Sequence, residues 1–159
     1  MIFLSKTFIL STDGYKKFVD NSLEESDHSI PYMNQNNVPV EVSADSFFGE
    51  DEPWKVFQKK TIDRAFWTTV TTRPSGGHWL LIDMKKPVTV EKIGLSANAV
   101  SAGIHSIKNF EVYGSIDGVF FEKLLTGIKS NDALVQDFSL TSKKKARYYR
   151  INVLDNYDT

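Results

Sequence analysis

The chain has no cysteine among its 159 residues. That excludes disulfide cross-links, thiol nucleophiles and every zinc site built on thiolates. It fits a bacterial, viral or cytosolic origin better than a small secreted animal domain, which would carry a disulfide framework. Histidine is scarce as well. His28, His78 and His105 are scattered, with no HxH or HExxH spacing, so no metal site is expected. Charge of one sign is missing: 19 Lys and Arg against 20 Asp and Glu leave a net charge of −1. No global field therefore favours nucleic acid or an anionic membrane. No run approaches the roughly 18 apolar residues of a membrane span. The opening "MIFLSKTFILSTDGYKK" has no positive segment before its apolar stretch, and Lys6 interrupts it. It reads as a short strand pair rather than a signal peptide. Helical periodicity is nearly absent; "YKKFVDN" (15–21) and "DEPWKVFQ" (51–58) would each make a turn or two.

Strand patterns fill the rest. Eleven Phe and six Tyr favour strands. "KTFILS" (6–11) turns at "TDG" into "YKKFV" (15–19), a hairpin. "DNSLEESDHSIP" (20–31) is a polar linker. "VPVEVSA" (38–44) alternates, and "HWLLIDM" (78–84) is apolar through its middle. "KKP" (85–87) reads as a turn before "VTVEKIGLSA" (88–97). "IKNFEVYGS" (107–115) passes through an "IDG" turn into "VFFEKLLTG" (119–127). "DALVQDFSL" (132–140) and "RYYRINVLD" (147–155) close the series. About eight strands with turns at near-regular intervals predict an antiparallel β-sandwich or jelly roll. The length suits one domain with an appendage and a core that needs no staple. Trp67, Trp79, Phe110 and one of Tyr148 and Tyr149 are expected in that core.

With that order laid out, residues from about Pro39 to Asp155 resemble the F5/8 type C (discoidin-like) family. The matching pieces are "VSADS" (42–46), "PWKVF" (53–57), "FWTT" (66–69), "GHWLLIDM" (77–84), "VTVEKIGL" (88–95), "IKNFEVYGSIDG" (107–118) and "ARYYRINV" (146–153). The resemblance implies an all-β, galactose-binding-domain-like sandwich over 31–159, with residues 1–30 as an N-terminal hairpin and linker for attachment. It implies binding of glycans or lipid head groups by loops at one end, and seldom catalysis. "SIPYMNQNNVPVEVSADS" (29–46) also resembles the run-in to such domains in phage tail proteins. The family often places a calcium near an Asp-Gly that this chain lacks. Gln58, Lys59 and Lys60 stand there instead, leaving Asp63 as the one acid. Calcium needs several oxygen ligands, so no calcium and no cofactor are expected. Members tend to add a further strand after "YRI"; either this sequence ends before it, or the N-terminal hairpin or a neighbouring chain is expected to complete that sheet edge.

Sugar recognition needs a ring face for stacking and a few fixed polar groups. The segments 46–52, 70–76, 97–105 and 155–159 can converge at one end of such a sandwich. Phe48, Glu50, Thr71, Arg73, Asn98, Asn156 and Tyr157 are the candidate ligand-binding residues. Phe47 and Phe48 either display their rings there or plug the bottom of the sandwich. Catalytic readings are weaker. His78 has Ser75 nearby but no patterned acid, so it reads as a surface or strand-edge residue. Glu50, Asp51 and Glu52 read as solvated acids or the opening of a short helix rather than a hydrolase pair. "KKKAR" (143–147) reads as a solvated turn.

The expectation is a non-catalytic carbohydrate-binding module in a phage virion, at the tail or baseplate, adhering to host cell-surface glycan. Its N-terminal segment would dock on other virion proteins within a homo-oligomeric assembly. Neither nucleic-acid binding nor membrane insertion is expected. The alternatives are a virion decoration protein without an active sugar site, and an intracellular scaffold subunit. Location would be the virion, or else the cytoplasm or outside the cell without a conventional signal.

Overall fold

The computed structural model describes residues 3–4, 9–10, 40–53, 56, 67, 69, 75–96, 106–132, 134–142 and 144–157. Among these residues nine strands follow in order: β1 Phe3–Leu4, β2 Ile9–Leu10, β3 Glu41–Ala44, β4 His78–Val88, β5 Val90–Ser96, β6 Asn109–Ser115, β7 Glu122–Ile128, β8 Gln136–Ser139 and β9 Ala146–Val153. All pairings are antiparallel. One sheet has the order β3-β4-β9-β6-β7. The other is centred on β5. There Lys92 pairs with both Ile9 and Ser139, and Leu95 with both Leu4 and Gln136. A strand has two edges, so β8 holds one and the N-terminal strands hold the other. The expected β-sandwich is present, and the N-terminal strands β1 and β2 occupy an edge of β5, in the sheet that does not contain β9. The segment 15–19, expected as a hairpin partner, lies outside the described residues.

Alternation explains the layers. Leu80, Ile82 and Met84 of β4 and Tyr149 and Ile151 of β9 are buried, while their neighbours Trp79, Leu81, Tyr148 and Arg150 are only half-buried. Phe110 of β6 meets Phe138 of β8 edge-on, ring centroids 4.8 Å apart, and so joins the two sheets. Trp67 is almost completely buried, as expected. Tyr149 donates its hydroxyl to the Val88 carbonyl and accepts the Val90 amide, 2.8 and 3.2 Å. Those bonds pin the corner where the chain leaves one sheet for the other. Burial pushes its phenol up to about 12.

Two turns differ from the pattern reading. "KKP" is part of β4, which runs on to Val88 through a register shift with Lys85 at φ +62°. The chain bends there by a bulge instead of turning. The β6–β7 turn is longer than "IDG": β7 begins only at Glu122. Asp117 accepts the amides of Val119 and Phe120 and the Ser115 hydroxyl, which closes the wider loop.

Candidate functional site

Antiparallel order brings a set of connections to one end of the sandwich. Residues 45–53 leave β3, 75–77 enter β4, 106–108 enter β6, 129–135 join β7 to β8, and 154–157 leave β9. Backbone bonds tie several together. Lys108 donates to Asp155 at 2.9 Å, Tyr157 to Ser106 at 3.0 Å, Leu154 to Asn109 at 2.8 Å and Lys129 to Lys108 at 2.9 Å. Of the four segments expected to converge, 46–52 leaves β3, Ser75 and Gly76 of 70–76 precede β4, and 155–157 follows β9, all at this end; the bonds above tie only the last of them to its neighbours. The segment 97–105 lies outside the described residues.

Phe47 and Phe48 are 47% and 61% exposed, so they are displayed and do not plug the sandwich. A tight turn presents them: Asp51 donates its amide to the Phe48 carbonyl at 3.0 Å, around Gly49 at φ +56°. Glu50 is exposed on the same turn. Asp51 is buried, which corrects its reading as a solvated acid. Asn156 is half-buried and forms an isolated bridge with Ile107. Tyr157 donates its hydroxyl to the Lys129 carbonyl at 2.7 Å, and the Lys108 ammonium lies 5.5 Å from its ring centre. Its oxygen is thus committed to the fold. Thr71, Arg73 and Asn98 lie outside the described residues.

Sequence reading missed two residues at this end. The first is Asp45. His78 is buried, not a surface residue, and its Nδ1 lies 2.7 Å from Asp45 Oδ2. Asp45 Oδ1 accepts the Trp79 amide at 2.8 Å. The Ser46 hydroxyl also approaches His78 Nδ1, at 3.4 Å, and the Ser46 carbonyl accepts Trp67 Nε1–H at 2.7 Å. A catalytic triad puts acid and nucleophile on opposite imidazole nitrogens. Here both approach the same one, so the group is a clamp between β3 and β4 rather than a relay. Thirty-three residues separate the pair, and no local spacing reveals it.

The second is Lys129, which is fully buried. Its ammonium donates to the carbonyls of Ser130 and Asp132 at 2.8 and 2.6 Å and lies 3.6 Å from Asp132 Oδ1. It serves as an internal cation around which the 129–132 loop folds. Leu134 and Val135, which follow, are exposed. Among the described residues no group of three acids or histidines gathers as metal ligands; Asp63 lies outside them.

An F5/8 type C domain model matches residues 40–159. No curated protein sequence matches the chain. Solved structures share the fold. The family 32 module of Clostridium perfringens NanJ, in complex with galactose, is 17% identical with a TM-score of 0.61; the match covers 74% of this chain and 83% of that one. A second C. perfringens module, CpGH89CBM32-5 in complex with GalNAc-β-1,3-galactose, is 15% identical with a TM-score of 0.63, over 74% and 85%. The family 32 carbohydrate-binding module of Streptococcus pneumoniae EndoD is 17% identical with a TM-score of 0.59, over 76% and 86%. At these identities the likeness is one of fold, while the family model spans three-quarters of the sequence: the chain belongs to the F5/8 type C domain family.

Proposed function

We propose that this protein is a non-catalytic carbohydrate-binding module whose ligand meets the loop end of the sandwich, and that it serves a phage virion in adhesion to the host surface. The observation that carries the reading is the displayed Phe47–Phe48 pair on a tight turn at the end where four other connections meet. Exposed rings of that size are costly to leave in water unless a partner covers them. A pyranose offers a C–H face for stacking and hydroxyls for neighbouring polar groups. Similar modules were solved with galactose and GalNAc-β-1,3-galactose, which supports the ligand class. The shared nitrogen of the Asp45–His78–Ser46 cluster supports a binding role over catalysis. Arg73, Thr71 and Asn98 complete the proposed polar set.

In the virion reading, residues 1–30 attach to neighbouring virion proteins, and symmetric copies raise weak single-site affinity through avidity. The run-in "SIPYMNQNNVPVEVSADS" supports it by its resemblance to phage tail sequences. The test is a glycan array and a whole-cell binding assay with the purified protein, alongside Phe48→Ala and Arg73→Ala. Glycan binding that either variant weakens without unfolding supports the module. Incorporation into particles with no binding to any glycan or host envelope overturns the adhesin and favours a decoration protein.

A further inference from the structure

The outer face of the five-stranded sheet carries a second cluster, which runs from the Trp79–Asn152 pair beside the loop end inward to Arg150. Along β9, Arg150 and Asn152 point opposite to the buried Tyr149 and Ile151. Register sets Arg150 between Leu81 of β4 and Tyr113 of β6, and Asn152 between Trp79 and Glu111. All six are half-buried. The Arg150 guanidinium carbon lies 4.6 Å from the ring centre of Phe121 and 5.2 Å from that of Tyr113. Two rings thus hold the cation by its proximity to their faces.

What the cation lacks is an acceptor. Among the described residues no ion pair or hydrogen bond engages its guanidinium, and Nε is buried without a partner. Asn152 Oδ1, on the same face, is buried and unpartnered too. Arg147 on the same strand shows the satisfied alternative: its Nε and Nη2 donate to the two oxygens of Asp83 at 2.8 and 2.9 Å. The acid beside Arg150 is already used. Glu111 accepts Lys123 Nζ at 2.8 Å and the Tyr113 hydroxyl at 2.6 Å, and these bonds, led by Lys123, hold its carboxyl below the usual range. A half-buried arginine without a counter-charge is expensive to keep.

We propose that this face is a second ligand site and that it takes the carboxylate of an acidic saccharide. With its Nε buried, the guanidinium offers a carboxylate its Nη1 and Nη2 through two parallel hydrogen bonds. One uncompensated positive charge balances one negative charge. A doubly charged phosphate monoester would leave an excess beside Glu111. Asn152 adds an amide for a ring hydroxyl, and Trp79 adds apolar surface. Adjacent positions are about 5 Å apart across the strands and about 7 Å along them, the scale of one sugar ring and its carboxylate. The site uses none of the candidate sugar-binding residues Phe48, Glu50, Asn156 and Tyr157, so its test at Arg150 is separate from that of the adhesin reading.

The test is a titration followed by amide and arginine Nε–H resonances, with glucuronate, galacturonate oligomers and N-acetylneuraminate as probes and with galactose and acetate as controls. Expected are shifts at Arg150, Asn152 and Tyr113 for at least one acidic sugar up to about 10 mM, reduced by added salt. Arg150→Lys keeps the charge but loses the fork, and should weaken binding about tenfold. Asn152→Asp is nearly isosteric and supplies an internal counter-charge, so it should abolish the shifts while thermal unfolding still reports a folded protein. Phe48→Ala should leave them unchanged. No shift on this face with any acidic sugar overturns the site. So do equal shifts with acetate, which mean an adventitious ion only, and shifts that Phe48→Ala removes.

Discussion

Asp45 Oδ2 sits 2.7 Å from His78 Nδ1, and Asp45 Oδ1 takes the backbone N–H of Trp79 at 2.8 Å. One carboxylate thus ties the last turn of β3's exit to the first two residues of β4, under the aromatic turn at Phe47 and Phe48. Asp45→Ala leaves a buried imidazole and a backbone amide without an acceptor. It should cost about 2–4 kcal/mol, read as a lower midpoint in urea. Asp45→Asn keeps one acceptor and should cost less. Equal and negligible losses in both would show that the clamp does not hold the strands.

The middle of β4 should give the protein an acid-sensitive step. Asp83 is drawn down from 3.8 to about 2. Burial alone would raise it. The Arg147 fork, the Lys85 amide at 2.7 Å and the Lys85 ammonium at 3.2 Å outweigh burial. A carboxyl whose folded value is depressed stabilises the fold above its unfolded value and loses that as pH falls through the folded one. Asp83 should therefore contribute about 2 kcal/mol at neutral pH, lost between about pH 4 and pH 2. Unfolding free energies across that window should fall less steeply for Asp83→Asn than for the parent. Parallel slopes would remove Asp83 from the acid response.

Gly76 and Gly77 look alike in sequence and should behave oppositely. Gly77 has φ +77°, and a Cβ there would drive into the Val153 carbonyl oxygen. Gly77→Ala adds left-handed strain to a backbone clash and should cost about 3 kcal/mol or more. A Cβ on Gly76 meets only open space. Gly76→Ala should be neutral within about 0.5 kcal/mol, or slightly stabilising through the unfolded chain. Melting temperatures of the pair decide it, and matching values would contradict the packing of β4 against the end of β9.

The architecture was legible because alternation is local. "NFEVYGS" shows its buried face within a few residues. "HWLLIDM", however, is apolar throughout its middle and so misplaced Trp79 in the core, where the structure has it half-buried on the other face. "RYYRINV" did not separate Tyr148 from the buried Tyr149. The bulge at Lys85 was not legible, because "KKP" carries turn chemistry whichever way the ladder continues. The site was legible in part. That 46–52 and 155–157 lie at one end follows from strand order once the sandwich is accepted, whereas the display of Phe47 and Phe48 did not, because a large apolar ring in a loop can equally plug the core. Asp45 and Lys129 escaped notice because their partners are distant in sequence or are backbone carbonyls, which no motif encodes. Arg150 escaped for a related reason: the absence of an acceptor is visible only when the neighbouring strands are in place.

Phe48 separates binding from folding. Its ring is 61% exposed, so little apolar surface is hidden from water by the fold itself. Phe48→Ala should change stability by less than about 0.5 kcal/mol. Tyr157→Phe is the contrasting variant: it deletes the hydroxyl that reaches the Lys129 carbonyl and keeps the ring. That should cost about 1 kcal/mol of stability and spare any stacking contact. If the loop end binds sugar by ring stacking, Phe48→Ala should weaken glycan binding roughly tenfold, by the 1–3 kcal/mol such anchors supply, with its melting temperature intact. Tyr157→Phe should melt earlier yet bind nearly as well once folded. Calorimetric titration with the tightest array glycan, run beside thermal melts, reads both quantities. Unchanged glycan affinity in Phe48→Ala would take that ring out of the site and leave its exposure to another partner.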